Sequence, residues 1–304
     1  MAGATWTDLL DPTADEIVAA VGHELAEPEL KMLVQQRRRH GDEPRATLKG
    51  HGDHVFGIFL VPVTVREEDI VFYQEVDVVV KHDAIVTIRK TPPGREPFSP
   101  EEVREAALPG DSGGMILYRL LDAIAERYLD LVDDLDAEID EVEEEVDVAS
   151  AERVRERISK LRHDLLEVRR TLTPLRDAAR RVVDDLVEVE EGEHVFPRDV
   201  EIAFNHVYDK LLRAADGLEL TRDLLAGVRD YHQSKVANDQ NEVVKRLTAI
   251  ASLLLVPTFI VGLYGQNFDV FPELHWSWGY GWSWGLIVAS TVFQLWYFRR
   301  KDWL

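Results

Sequence analysis

The chain has 304 residues, 57 of them acidic and 35 basic, a formal net charge of −22 and no cysteine. That charge argues against a nucleic-acid partner, whose phosphates it would repel, and the missing thiols exclude disulfides and thiolate metal sites and fit a reducing interior. The acid is unevenly spread: from Arg246 onward there are four basic and three acidic residues, so residues 1–245 carry −23 and read as an acidic, water-soluble body, suited to a salty cytoplasm or to a cation. The first residues, Met1 to Asp8, lack a basic start and an apolar core, so no cleaved signal is expected. Residues 1–110 read as an α/β domain. Helices are expected at Asp15–Val21 and Glu27–Arg38, the second with Pro28 at an early position where its missing N–H costs little. Strands are expected at Val55–Val65, Ile70–Val80 and Ala84–Lys90, which are β-branched and aromatic runs bounded by Gly, Asp and Pro. Thr91-Pro92-Pro93-Gly94 closes this region, and Ser99-Pro100-Glu101-Glu102 carries a capping pattern for a short helix. His51 and His54 share a Gly-rich loop, but no HExxH pattern accompanies them and Gly50, Gly52 and Gly57 do not form a phosphate loop, so an enzyme is not expected.

From residue 111 the texture changes. Ile116, Leu120, Ile124, Tyr128, Leu131, Leu135, Ile139, Val142 and Val146 recur every three or four positions, tracing one apolar helix face. After a turn at Asp147–Ala151, a second helix to about Glu190 repeats the pattern with Ile158, Leu161, Leu165, Val168, Leu172, Leu175, Ala179, Val182 and Leu186, which predicts an antiparallel hairpin over 111–196. The stretch Asp133–Asp147 holds ten carboxylates and no base, and reads as a solvated hairpin tip or a diffuse cation-binding surface. Past Pro197 a third helix carries Val200, Phe204, Val207, Leu211, Leu218, Leu225 and Val228, and no turn signal follows until Gly262 except Pro257. At ~1.5 Å per residue such a rod is roughly 100 Å long, too long for one chain to cover, so self-association about an axis is expected.

The seventeen residues Leu247–Leu263 are uncharged, long enough to cross a hydrocarbon core of ~30 Å. Gly285–Phe298 is shorter, but five Trp or Tyr residues between Trp276 and Trp284 precede it and Trp296 and Tyr297 end it, as aromatic belts do. Lys245 and Arg246 flank the first segment and Arg299, Arg300 and Lys301 the second, while the loop between has only Asp269 and Glu273 as charges; both termini are expected in the cytoplasm of a multi-pass cell-membrane protein. Within the third helix, Asn241, Val244, Leu247, Ala251, Leu255, Thr258 and Gly262 share one stripe. That stripe reads either as the hydrophobic lining of a narrow pore or as ordinary helix packing through small residues.

Tyr264-Gly265-Gln266-Asn267-Phe268, followed by Pro272-Glu273-Leu274 and the Trp-rich stretch, resembles the CorA family of divalent-cation transporters, whose signature here is Tyr-Gly-Met-Asn-Phe. The resemblance extends through Asn241-Glu242-Val243, Leu247-Thr248, Pro257-Thr258-Phe259-Ile260 and Lys301-Asp302-Trp303-Leu304, and more weakly to Leu121-Asp122-Ala123-Ile124 and Val78–Thr91. It implies an α+β chain with an N-terminal α/β/α cytoplasmic domain (1–110), a helical hairpin (111–196), a stalk helix (197–245) and a transmembrane domain (246–304). The last divides into a first span at about 246–264, an outer loop 265–282, a second span at about 283–298 and a cytoplasmic tail 299–304, in a homopentamer held in membrane lipid.

It further implies an ion-selective mouth at Gly265, Gln266 and Asn267, where neutral oxygens receive a still-hydrated Mg²⁺, with Asp269 and Glu273 concentrating cations around it. Counting back from Asn267, Asp230 falls on a pore-facing ring of the stalk that would hold cations; a regulatory carboxylate aligns with His206, with Asp209 one turn away, which puts that Mg²⁺ site in question. No resident cofactor is implied beyond transported and regulatory Mg²⁺. Gln266 replaces the usual thioether by an amide, so the preferred ion stays open between Mg²⁺, with Co²⁺ or Ni²⁺ as passengers, and Zn²⁺, as in a related branch that prefers Gly-Ile-Asn. A membrane-tethered coiled-coil scaffold that conducts nothing is the competing class, and it gives Asn267 no task.

Overall fold

The computed structural model describes residues 3–22, 25, 27–35, 44–65, 70–92, 95–189, 194–266 and 272–304. It divides into two compact units, Met1–Arg229 and Asp230–Leu304.

The first unit is built on five strands: β1 (Thr5–Leu10), β2 (Thr47–His51), β3 (His54–Val65), β4 (Ile70–Val80) and β5 (Ala84–Arg89), in the order β1-β5-β4-β3-β2. β1 runs parallel to β5 and the other neighbours are antiparallel. Strands β3, β4 and β5 follow the sequence expectation to within a residue. β1 and β2 do not appear in that expectation: each is short and carries polar residues, β1 is held by β5 far along the chain, and β2 folds back on β3 in a tight hairpin. Trp6 Nε1 donates to Thr87 Oγ1 at 3.0 Å and Asp8 receives Arg89 from β5, so these two polar side chains of β1 are satisfied across the pairing.

Alternation along the strands sends side chains to two layers. On one face Phe56, Ile58, Val79, Val86 and Ile88 pack against Ile17, Leu25 and Leu33, two of them on α1 (Ala14–Val21) and α2 (Glu27–Val34). On the other face Val55, Phe59, Val61, Val78, Val80 and Ile85 join α3 (Glu101–Ala106), α4 (Gly113–Val148) and α5 (Ala151–Val183) in one continuous core. This is an α/β/α sandwich. α2 ends at Val34 rather than Arg38, and residues 36–40 lie outside the described residues. The N-cap of α3 is Pro100 rather than Ser99, although Ser99 Oγ still accepts the Glu101 N–H at 3.4 Å.

α4 and α5 form the expected hairpin, and every apolar position read from the α4 periodicity is buried. α5 is shorter than expected. It ends at Val183 because Asp185 turns into the left-handed region (φ 52°), which an aspartate tolerates better than a bulky residue. Leu186 is therefore 59 % exposed, and Val187 takes a place in the core instead. α6 runs unbroken from Arg198 to Tyr264, through Pro257, and buries Val200, Phe204, Val207, Leu211, Leu218, Leu225 and Val228 in the first unit.

In the second unit, the rest of α6 is followed by a 3₁₀ turn (Pro272–His275) and α7 (Gly279–Arg300). Gln294 of α7 donates to the Ser252 carbonyl of α6 at 3.3 Å. Phe298 is buried and its ring stacks on Trp303 at 5.7 Å, which folds the C-terminal residues back on α7.

Candidate functional site

The stripe Asn241, Val244, Leu247, Ala251, Leu255, Thr258 and Gly262 is exposed along its whole length. Val244, Leu247 and Leu255 stand 58 %, 61 % and 69 % open, whereas Ala249 is fully buried in the same stretch. Among the described residues α6 is the one helix long and apolar enough to cross a membrane, and only 6 % of its apolar window is covered by the chain itself. So much apolar surface on one helix needs lipid or further helices around it. Both threonine hydroxyls within the segment are satisfied locally: Thr258 donates to the Leu254 carbonyl at 2.7 Å and Thr248 to that of Val244 at 2.8 Å. Neither presents an unsatisfied donor to the apolar surroundings. α7, at 22 residues, has the length of a span and ends on Arg299 and Arg300.

α6 gives way at the motif itself. Gly265 N–H closes on the Val261 carbonyl at 2.9 Å and Gln266 N–H on that of Leu263 at 3.4 Å, so the helix frays through the last turn and leaves Gly265 and Gln266 exposed. Asn267 and Asp269, also expected at this mouth, lie outside the described residues. Glu273 sits in the 3₁₀ turn, where its carbonyl receives the Trp276 N–H at 3.4 Å. A Cβ at Gly279 would stand 2.1 Å from that same carbonyl, so only glycine lets α7 start this close to the turn. Trp276, Trp278 and Trp282 cluster beside it with ring centres 6.1–6.4 Å apart. His275 is exposed on the turn.

Asp230, His206 and Asp209 are all exposed on α6. Among the described residues no group of three or more His, Cys, Asp or Glu side chains is arranged to hold a metal, so His206 and Asp209 gain no third ligand within the chain. One residue beyond Asp209, a cation supplied by the chain itself meets carboxylates: Lys210 Nζ lies 2.9 Å from Asp122 and 2.8 Å from Glu126 of α4. Burial alone would lower Lys210, but its hydrogen bonds to Asp122 and Glu126 outweigh it and hold the ammonium above its ordinary range. Sequence reading missed this contact because Lys210 is nearly ninety residues from its partners, and nothing sets it apart from Lys235 and Lys245 on the same helix.

The acidic stretch Asp133–Asp147 is also not left to solvent alone. Arg157 of α5 reaches Glu138, Glu141 and Glu145 at 3.2–3.4 Å, and Arg153 meets Glu145 at 3.1 Å. The hairpin places α5 arginines opposite α4 carboxylates, which lowers the capacity of this face for free divalent ions.

His51 and His54 stand at the β2–β3 turn within 3.4 Å and 3.8 Å of Glu29, and Lys81 binds Asp53 at 2.5 Å beside them. The cluster joins α2 to the sheet edge.

A family model described as CorA-like Mg²⁺ transporter protein matches residues 2–300. The chain is 38 % identical over 189 residues to the cobalt/magnesium transport protein CorA of Thermotoga maritima, an alignment covering 62 % of this chain and 52 % of that one. It is 23 % identical over 312 residues to the magnesium transport protein CorA of Pasteurella multocida, covering 99 % and 92 %. The fold matches the complete structure of the CorA magnesium transporter of Methanocaldococcus jannaschii with a TM-score of 0.77 at 22 % identity, covering 98 % of this chain and 91 % of the other.

Proposed function

The chain belongs to the CorA family of Mg²⁺ transporters, and on that footing we propose that it carries divalent metal cations, Mg²⁺ first, through a homopentameric pore lined by α6. The carrying observation is the uncharged, exposed stripe of α6, a helix that ends at Tyr264, directly before Gly265, Gln266 and Asn267. Five such helices around an axis would enclose Val244, Leu247 and Leu255 as constrictions wetted only on opening. In this reading α7 is the second span, both termini face the cytoplasm, and Gly265, Gln266 and Asn267 form a neutral collar that accepts hydrogen bonds from the ion's own water shell. Mg²⁺ gives up water reluctantly, so a collar that spares dehydration suits it better than a tight cage from which it could not leave. Asp269 and Glu273 draw cations to the collar, and Asp230 holds them within the stalk on the cytoplasmic side.

Zn²⁺ would be better served by imidazole or thiolate, and the outer loop offers His275 alone. The test is uptake into proteoliposomes: Mg²⁺ enters, Zn²⁺ competes poorly, and Asn267→Ala abolishes flux while the oligomer stays intact. Flux unchanged by Asn267→Ala removes the collar from the mechanism, and no flux of any divalent ion favours a scaffold.

A further inference from the structure

Between the edge strand β2 and α5 lies an open cavity of about 760 Å³. Its lining reverses the charge of the chain around it. Arg170, Thr173, Asp177 and Arg181 recur at spacings of three and four and so present one face of α5 to it, and Arg45 enters from the segment leading into β2. The two lining carboxylates are engaged by neighbours: Asp177 lies 3.1 Å from Arg176 and Glu167 3.2 Å from His163. Arg169, also in the wall, is taken by Glu219 of α6 at 3.2 Å.

Arg45, Arg170 and Arg181 are left. None makes an ion pair among the described residues, and the hydrogen bond of Arg181 goes to the Leu186 carbonyl at 3.4 Å. In a chain of net charge −22, where Arg153, Arg155 and Arg157 of α5 are matched by carboxylates, three exposed guanidinium groups on one cavity are free to take an anion. The planar guanidinium fork fits phosphate oxygens two at a time, and repulsion among the three groups is relieved only by a ligand that brings several negative charges. The volume is in the range of about 300–1,000 Å³ that small-molecule sites occupy. Beside the arginines the wall is formed by the Tyr73 ring and by Pro44 and Pro174, a surface on which a flat base can rest.

We propose that this cavity binds a soluble polyphosphate anion of nucleoside-triphosphate size, its phosphates on Arg45, Arg170 and Arg181. The proposal does not depend on transport.

The test uses the purified full-length chain in EDTA, so that no divalent ion mediates binding, titrated calorimetrically with ATP, with inorganic tripolyphosphate and with inorganic phosphate. ATP and tripolyphosphate are expected to saturate at one per chain and to compete, and phosphate to bind far more weakly. The double variant Arg170→Ala/Arg181→Ala should weaken ATP by about tenfold or more, and the Arg170→Lys/Arg181→Lys pair should recover part of the loss. Arg155→Ala, at the far end of α5, should change nothing, and ligand-free thermal unfolding of all variants should match the parent. Absence of saturable binding, or equal affinity in parent and double-alanine variant, overturns the proposal. So does ATP binding in neutral phosphatidylcholine nanodiscs that disappears in phosphatidylglycerol nanodiscs, since the cavity would then be a lipid-headgroup site.

Discussion

A buried triad is the clearest case in which single residues set a property of the whole fold. Glu75 and Asp77 are two apart on β4 and point to the α2 side of the sheet, where Lys90 Nζ bonds Glu75 at 2.5 Å, Asp77 at 2.7 Å and the Met32 carbonyl of α2 at 3.0 Å. Asp77 is wholly buried, and two carboxylates share one ammonium. Burial first, and then the charge of Glu75, push the Asp77 carboxyl up to about 8, with Lys90 offsetting part of the rise. A carboxyl raised in this way binds its proton more tightly folded than unfolded. Its stabilising contribution is complete below the unfolded value near 4 and is lost as the pH climbs through about 8. Denaturant midpoints measured from pH 5 to 9 should therefore fall more steeply for the parent than for Asp77→Asn, whose amide needs no proton. Parallel curves would mean that the carboxylate is ionised in the fold throughout.

At the scale of elements, charge is matched helix against helix. Arg157 is 23 % exposed among three glutamates of α4, an arrangement that the acidic stretch alone did not announce. Arg157→Met should lower the unfolding free energy by about 1 kcal/mol at low salt, and less in 1 M salt, where screening weakens both the lost attraction and the repulsion it uncovers. A loss independent of salt would assign the effect to packing of the arginine stem. The junction of the 3₁₀ turn with α7 depends on space rather than charge. Gly279→Ala forces a methyl group onto the Glu273 carbonyl, so the turn must move away from α7, and the fluorescence of the nearby Trp276, Trp278 and Trp282 should shift. An unchanged spectrum would show that the contact is dispensable.

For the whole molecule, the decisive quantity is apolar surface without a partner. Leu254, Leu255 and Phe259 are each more than 65 % exposed on a helix that also carries the stripe from Asn241 to Gly262. One face of such a helix can meet lipid, but the stripe joins Asn241 and Thr258 to apolar residues and suits an axial position in an assembly. Native mass spectrometry from nanodiscs should give five times the 34.7 kDa of one chain, and a persistent monomer would contradict the axial arrangement. Within the proposed pentamer, Leu255→Asn should raise Mg²⁺ leak, because a polar ring would wet a constriction that leucine would keep dry. A leak no greater than the parent's would place the constriction elsewhere.

Helical periodicity was written in the sequence: from Ile116 to Val146 and from Val200 to Val228 the residues expected inside are inside, because a helix repeats its face every few residues and needs no distant information to do so, while at the end of α5 the left-handed turn at Asp185 sends Leu186 out of the core. The close of α6 at Tyr264-Gly265-Gln266 was likewise local, set by the glycine and by the end of the apolar run. What only tertiary structure decided depends on partners far along the chain. β1 exists because β5 lies beside it, Lys210 is committed to Asp122 and Glu126, and Arg157 to its three glutamates. The cavity of Arg45, Arg170 and Arg181 forms only where β2 approaches α5. A charge in a sequence has a sign but no neighbour, and its energy is fixed by what the fold brings within a few ångströms of it.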